Sequence, residues 1–354
     1  MKLIISLALF HLALGARLPN FAGENITENP ERRSAITSTK NGVTATTEMT
    51  VSTYSEFKEA LDKSQTASGT TINLAADIYL ESRFPDYQRA NLQISYATDL
   101  TVNGNGYKVD GVKADTCFVV YSSSVTMKNL TVTNCGKPDY TIAGAGFYVI
   151  NSDVKLVGCT VEKSTSSSPI FYTSGGAMYA YDSQVFAFQT KFLDNTALLG
   201  GGLQLDGSTN ANLSNCVMQR NTAAGIGPAQ GGAIFLGSYF LDDDRIGKSG
   251  AFINLIGSTF KNNTAEAEQG GGDMFVSTSE DKFAVFSDCQ AGEFFSGVGA
   301  LLDISGPGSG VAYPDDLIFN TDTCTPCPEG QYSCCGALAC SSTPCPNPVC
   351  GLPL

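Results

Sequence analysis

Along "VKLVGCTVEKS", residues 154–164, apolar or small side chains stand at Val154, Leu156, Cys159 and Val161, and the chain turns at Ser164. Steps of two mark a strand with one buried face. The single step of three, between Leu156 and Cys159, marks a bend after which the alternation restarts. The same template starts again at Ile72, Leu100, Val125, Val185, Ala211, Ile253 and Ala284, with neighbouring starts 25 to 42 residues apart. The second strand of each copy then points Tyr79, Tyr107, Val132, Val161, Phe192, Met218, Phe260 and Ala291 inward.

A third strand precedes each start. Its inward residues read Phe118, Phe147, Met178, Leu203, Ile234, Met274 and Leu301. The residues before them, Cys117, Gly146, Ala177, Gly202, Ala233, Asp273 and Ala300, are nearly all small, which lets successive coils approach at strand spacing. Three residues after the inward position of the second strand come Asp110, Cys135, Ser164, Asn195, Asn221 and Asn263. Stacked asparagines at a turn can pass amide hydrogen bonds from coil to coil. A unit that cannot bury its own face must stack on copies of itself. The pattern therefore predicts an all-β, single-stranded parallel β-helix of about eight coils. "SEFKEALDKS", Ser55 to Ser64, is the one amphipathic helical stretch and reads as a short N-terminal cap.

Outside the repeats the chain changes character. "MKLIISLALFHLALGA" has Lys2, a short apolar run and small residues at Gly15 and Ala16, the signature of a secretory signal peptide over residues 1–16. Residues 17–50, rich in Thr, Ser, Asn and Glu, read as a flexible linker or pro-segment, the β-helix as 51–320, and 321–354 as a cysteine-rich segment. Cleavage at the signal would remove His11, the sole histidine, and with it Ser-His or Cys-His catalysis and imidazole metal ligation.

A net charge of -13 disfavours nucleic acid as a partner, and no segment is suited to membrane insertion. Of twelve cysteines, Cys117, Cys135, Cys159, Cys216 and Cys289 are dispersed, while Cys324, Cys327, Cys334, Cys335, Cys340, Cys345 and Cys350 crowd the tail and read as disulfide partners. Both groups are odd in number. Either one bond joins body to tail or each group keeps a thiol. Sequons stand at Asn25, Asn129, Asn212 and Asn262, and the last three fall on outward or turn positions of the repeat.

The phrases "GGAI" (Gly231 to Ile234) and "GGAM" (Gly175 to Met178), paired with Phe-x-x-Asn at Phe192 and Phe260, resemble the repeat of the polymorphic outer membrane proteins of chlamydiae. "LTVNGNGYKVDG" and "SSSVTMKNLTVTNC" are similar to phrases of the pectin-lyase-like β-helices, a resemblance that implies a right-handed parallel β-helix. The likeness spans roughly residues 70 to 305 and implies fold more than function, since packing explains the motif residues. The tail's "CTPCPEGQYSCC" resembles the cysteine-rich modules of extracellular proteins.

Chemistry has few places to sit. Lys163, Asp194 and Arg220 occupy neighbouring rungs of the column Asn134, Lys163, Asp194, Arg220, Asn262, Glu293, where two cations would flank one carboxylate. Among proteins similar to the pectin-lyase-like enzymes, such residues imply catalysis on an acidic polysaccharide; as a salt-bridge ladder they are structural. Asp182 and Asp206 are candidates for a calcium-binding pair, and calcium is the single cofactor entertained. An insertion over 237–250 exposes Tyr239 and Phe240, and the loops at 136–143, 164–174, 222–230 and 264–269 share one edge suited to ligands. The resulting expectation is a secreted or cell-surface protein, non-catalytic, acting in adhesion through an extracellular glycan or protein. A polysaccharide lyase or hydrolase is the alternative.

Overall fold

A computed structural model describes residues 47–81, 91–113, 116–136, 143–168, 172–227, 229–237, 251–266 and 272–276, and the backbone of Lys282–Phe286, Glu293–Phe295, Val311–Tyr313 and Cys324–Pro326. The strands stack into three long parallel sheets. Sheet A has nine strands, from Glu48–Val51 to Lys282–Phe286; sheet B has seven, from Ile78–Tyr79 to Thr259–Lys261. Sheet C runs from Leu92–Ser95 to Met274–Val276 and gains Val311–Tyr313 as an antiparallel edge. Each coil visits C, A and B in turn. About five turns have all three strands and the bends joining them described.

Inward columns follow the expected registers through the middle of the chain. Leu100, Val125, Val154, Val185, Ala211 and Ile253 pair rung to rung in sheet A, and Phe118, Phe147, Met178, Leu203, Ile234 and Met274 do so in sheet C. All of these side chains are buried. Phe118 and Phe147 stack at 5.1 Å, and Phe57 from the helix meets Phe118 edge-on at 6.2 Å. The helix, Tyr54–Ser64, therefore plugs the open start of the tube with Phe57 and Leu61. Its cap is Thr53, in a reciprocal capping box with Glu56, so it begins ahead of the expected Ser55.

The bends show why the strand period breaks. At each one a residue with positive φ is followed by a buried residue that hydrogen-bonds along the stack. Between sheets B and C the left-handed residues are Asn134, Lys163, Asp194, Arg220 and Asn262, with φ of 52 to 56°. After them stand Cys135, Ser164, Asn195, Asn221 and Asn263. The asparagines form the expected ladder: Asn195 donates through Nδ2 to Asn221 at 3.0 Å, and Asn221 to Asn263 at 3.1 Å. Each Nδ2 also donates to a carbonyl of the preceding coil, Val161, Phe192 or Met218.

Two further ladders were not foreseen. Between sheets C and A, Ala97, Ser123, Ser152 and Ser183 each donate a backbone N–H to the hydroxyl of the next rung, ending at Thr209. Between A and B the buried column is Leu130, Cys159, Thr190, Cys216 and Ser258. There the thiol or hydroxyl donates to a carbonyl two residues back and to another in the coil before: Cys216 to Ser214 and Ala187, Thr190 to Phe188 and Leu156. Sulfur and oxygen play one part in this column.

Several expectations need correction. Ile72 pairs with Val102, and Val109, not Tyr107, lies inward opposite Ile78 and Val132. The cause is "NGNGY", where Gly106 at φ +84° makes a turn two residues longer than those of later coils. Tyr107 is consequently exposed, and Asp110 pairs with Thr133 instead of joining the asparagine ladder; Tyr79 is exposed because the turn from Leu74 to Ile78 is one residue shorter than in later coils. Near the other end Ile253 pairs with Phe283, so the start placed at Ala284 is one residue late. The column does not reach Glu293, because Glu293–Phe295 leaves the stack and pairs antiparallel with Cys324–Pro326. That reversal, with the antiparallel Val311–Tyr313, stops the solenoid short of eight coils. The first strand starts at Glu48, inside the expected linker.

Four of the five dispersed cysteines are described, in two states. Cys117 and Cys135 form a disulfide that closes one coil. Cys159 and Cys216 are buried free thiols of the bend column. Cys289, the side chains of the tail cysteines, the signal segment 1–16 and Asn25 lie outside the described residues.

Candidate functional site

The expected cluster lies on the bend between sheets B and C. Lys163, Asp194 and Arg220 occupy its left-handed position, where a side chain must project away from the core because the next residue turns inward. Arg220 grips Asp194 through two parallel hydrogen bonds, Nε to Oδ1 at 2.6 Å and Nη2 to Oδ2 at 2.7 Å. Lys163 reaches its neighbour Glu162 at 3.3 Å. Asn134, one rung before, donates to both oxygens of Asp110 at 3.3 Å, and Lys108 pairs with Asp110 at 3.2 Å. The corner is thus a strip of exposed ion pairs and amides.

Its electrostatics favour fixed charge over proton exchange. The hydrogen bond from Arg220 holds the Asp194 carboxyl below its usual range, with the charges of Arg220 and Lys163 adding to the effect against a small burial cost. Arg220 is pushed up by the same hydrogen bond and by the charge it faces. A general acid or base works best when its pKa lies near the operating pH, and Asp194 moves away from it. The side chains of Arg220 and Asp194 are 47% and 34% accessible, so water screens the pair.

Asp182 and Asp206 come close without sharing a register. Asp206 pairs with Tyr181, and Asp182 is the left-handed bend residue one step further along its own coil. Their oxygens serve the bends: Asp182 accepts from the Ser208 N–H at 2.8 Å, and Asp206 from the Gly207 N–H at 2.6 Å and the Tyr179 hydroxyl at 3.1 Å. Burial, and then the Asp206 charge, raise the Tyr179 phenol well above its ordinary value, which keeps it a donor. Among the described residues no three acidic, cysteine or histidine side chains gather as a metal site.

Sequons Asn129 and Asn262 project from left-handed bend positions and are exposed; Asn212 lies in sheet A and faces outward. Tyr239 and Phe240 of the insertion are outside the described residues. The shared loop edge proves to be structured. Thr196–Ala197, Thr222–Ala223 and Thr264–Ala265 form a short parallel ladder of their own. Beneath it Leu198, Leu199, Ala223, Ala229, Phe235 and Phe275 make a second small core against the outer face of sheet C.

Towards the N-terminus that outer face is aromatic, and the inward-column reading had passed it over. Tyr148 and Tyr179 stack at 5.5 Å, and Tyr121 meets Tyr96 edge-on at 5.7 Å. Tyr181 and Tyr121 share a second outward column with Ile150. Tyr121 and Tyr148 are half-buried, and Tyr96 is exposed and held at φ 58°. The signal was present in the sequence as "FVVY", "FYVI" and "MYAY", where every second residue of the strand is large and faces out.

Residues 48–160 match the family model of a pectate lyase-like adhesive domain, a stretch that takes in the helix and, in sheet C, the strands from Leu92–Ser95 to Phe147–Ile150. No curated protein and no solved structure matches the chain at the level that marks similarity. On that stretch the chain is similar to adhesive domains built on a pectate-lyase-like parallel β-helix.

Proposed function

We propose that the chain is a secreted or cell-surface adhesion protein, non-catalytic, whose solenoid presents its outer face to an extracellular glycan or protein. The observation that carries this reading is the tyrosine-bearing outer face of sheet C, with Tyr121 and Tyr148 on it and Tyr96 at its end. Tyrosine offers a flat ring for stacking on a sugar or an apolar side chain, and a hydroxyl for polar contact, at low conformational cost. The match of residues 48–160 to an adhesive domain supports it, and a disulfide inside one coil suits an oxidising compartment. The Lys163, Asp194 and Arg220 corner then acts as an exposed charge strip.

The test pairs binding with turnover. Purified protein is screened for binding to immobilised extracellular glycans and matrix proteins, and for release of product from uronate polymers with and without calcium. Binding weakened at least tenfold by Tyr121→Ala or Tyr148→Ala, in variants with unchanged circular dichroism, is the expected result. Turnover abolished by Lys163→Ala or Arg220→Ala would overturn the non-catalytic reading.

A further inference from the structure

The outer face of sheet A carries an apolar patch at odds with a solvated surface. Phe186, Phe188, Phe252 and Ile256 all face outward there and are half-buried. Asn212 stands in the middle of the patch, paired with Phe186 in the coil before and with Asn254 in the coil after. It opens the sequon Asn212-Leu213-Ser214.

Two observations single this sequon out. The first is the orientation of the amide. Asn212 Oδ1 accepts a hydrogen bond from Asn254 Nδ2 at 2.6 Å, so the oxygen faces the following coil. Its Nδ2 is turned the other way, towards the coil of Phe186. Lys155 lies over the Phe186 ring at 5.7 Å from the coil beyond, which leaves the side facing Asn212 to another group. The second is Ser214. Its hydroxyl is buried between Phe188 and Ile256 in its column and has no hydrogen-bond partner. A buried unpartnered hydroxyl costs folding free energy, and the fold gives no return for it. A glycosylation sequon, by contrast, requires a hydroxyl at that position.

We infer that Asn212 carries an N-linked glycan whose first sugar lies on Phe186 and covers the apolar face of sheet A. The inference rests on the secreted reading above. The donor is a lipid pyrophosphate-linked oligosaccharide. The bond between its anomeric carbon and the pyrophosphate breaks, the lipid pyrophosphate leaves with the electron pair, and a C–N bond forms to Asn212 Nδ2, which gives up one proton to a base. Because Asn212 sits inside a paired strand, the transfer precedes folding. The apolar face of the sugar then meets the aromatic ring, and its hydroxyls meet water, so a face unsuited to solvent becomes a hydrophilic one.

The full chain is expressed with its own leader in a eukaryotic secretory host, and tryptic glycopeptides from the medium are read by mass spectrometry. Asn212 is expected to be occupied. Ser214→Ala removes that glycan while leaving Asn212 and its bond to Asn254 in place. In the glycosylating host this variant should melt about 1–2 °C below wild type, the shift that one aromatic stacking contact supports in a chain of this size. Made in a host without N-glycosylation, Ser214→Ala should melt at or above wild type, since it removes an unpartnered hydroxyl. In a Phe186→Ala background the glycan should make no difference to the melting temperature. An unmodified Asn212 beside an occupied Asn129 or Asn262 overturns the inference and leaves secretion standing. Occupancy at Asn212 with a melting temperature indifferent to Phe186 overturns the seating of the sugar. Retention of the whole protein inside the cell overturns the secreted reading and the inference together.

Discussion

Asn221 is the middle rung of the asparagine ladder, and Asn221→Ala measures what the ladder contributes. The side chain is fully buried. Its Nδ2 donates to the Phe192 carbonyl at 2.9 Å and to Asn263 Oδ1 at 3.1 Å. Its Oδ1 accepts from the Asn195 N–H at 3.1 Å and from Asn195 Nδ2 at 3.0 Å. Truncation leaves the Phe192 carbonyl and the Asn195 N–H without these bonds. Asn195 Nδ2 keeps Val161, and Asn263 Oδ1 keeps the Asn221 N–H at 3.0 Å. The Phe192 carbonyl keeps its place in the sheet B ladder, so one buried backbone group is orphaned, the Asn195 N–H, at a loss of about 1–3 kcal/mol before any water enters the gap. Against a typical total of about 5–15 kcal/mol the change is large. In a stacked array it also weakens the coils on either side. Urea unfolding followed by far-ultraviolet circular dichroism, with exposed Lys191→Ala as control, gives the number from the midpoint and slope. A loss below about 0.5 kcal/mol, no greater than the ordinary effect of a surface substitution, would refute the claim that the ladder stabilises the bend.

Other substitutions probe separate features. Cys216→Ser should be nearly neutral, because Ser258 already fills the same role one coil on, whereas Cys216→Ala should destabilise; equilibrium unfolding of the pair decides it. Burial pushes the Cys216 thiol up to about 12 and raises that of Cys159, so neither should react with an alkylating reagent at pH 8 until denaturant is added, as labelling and mass spectrometry will show. The Asp194 carboxyl, held low by Arg220, contributes stability above its ordinary titration range and loses it as pH falls through the depressed value; Arg220→Ala should remove that acid-side dependence, with a small loss of stability at neutral pH that vanishes in acid, read from melts across an acid series. Millimolar calcium should leave the melting temperature unchanged, since Asp182 and Asp206 are engaged in bends. Reducing Cys117–Cys135, which are 18 residues apart, should cost about 3 kcal/mol by loop-closure entropy.

Legibility from the sequence followed the strength of the period. The strands between Val125 and Phe260 read correctly because bulky inward side chains recur against small ones, and a slip of one residue would have turned every one of them outward. The register failed where a turn changed length without changing composition, at Gly104–Gly106, and where "KFAVF" offered two apolar phases and Phe283 was passed over for Ala284. The asparagine ladder was visible since Asn is rare in mid-core. The hydroxyl and thiol ladders were not, because Ser, Thr and Cys also populate ordinary turns. The corner cluster was found, but its φ of 53 to 56° was not, and that angle explains why Lys163, Asp194 and Arg220 align. The tyrosines were missed because attention to the buried face discards every second residue.

The pairing of a left-handed residue with a buried hydrogen-bonding one, repeated at three corners, bears on how such a chain can lengthen. About six positions per coil must satisfy a strict requirement: three must tolerate αL, and three must pass a hydrogen bond to the next rung. A block such as residues 176–200 meets all six, and its ends present the same ladder polarity as the coils beside it. It can be duplicated or deleted in frame without rebuilding either neighbour, so chain length can drift in whole coils while the helix-capped start stays as it is.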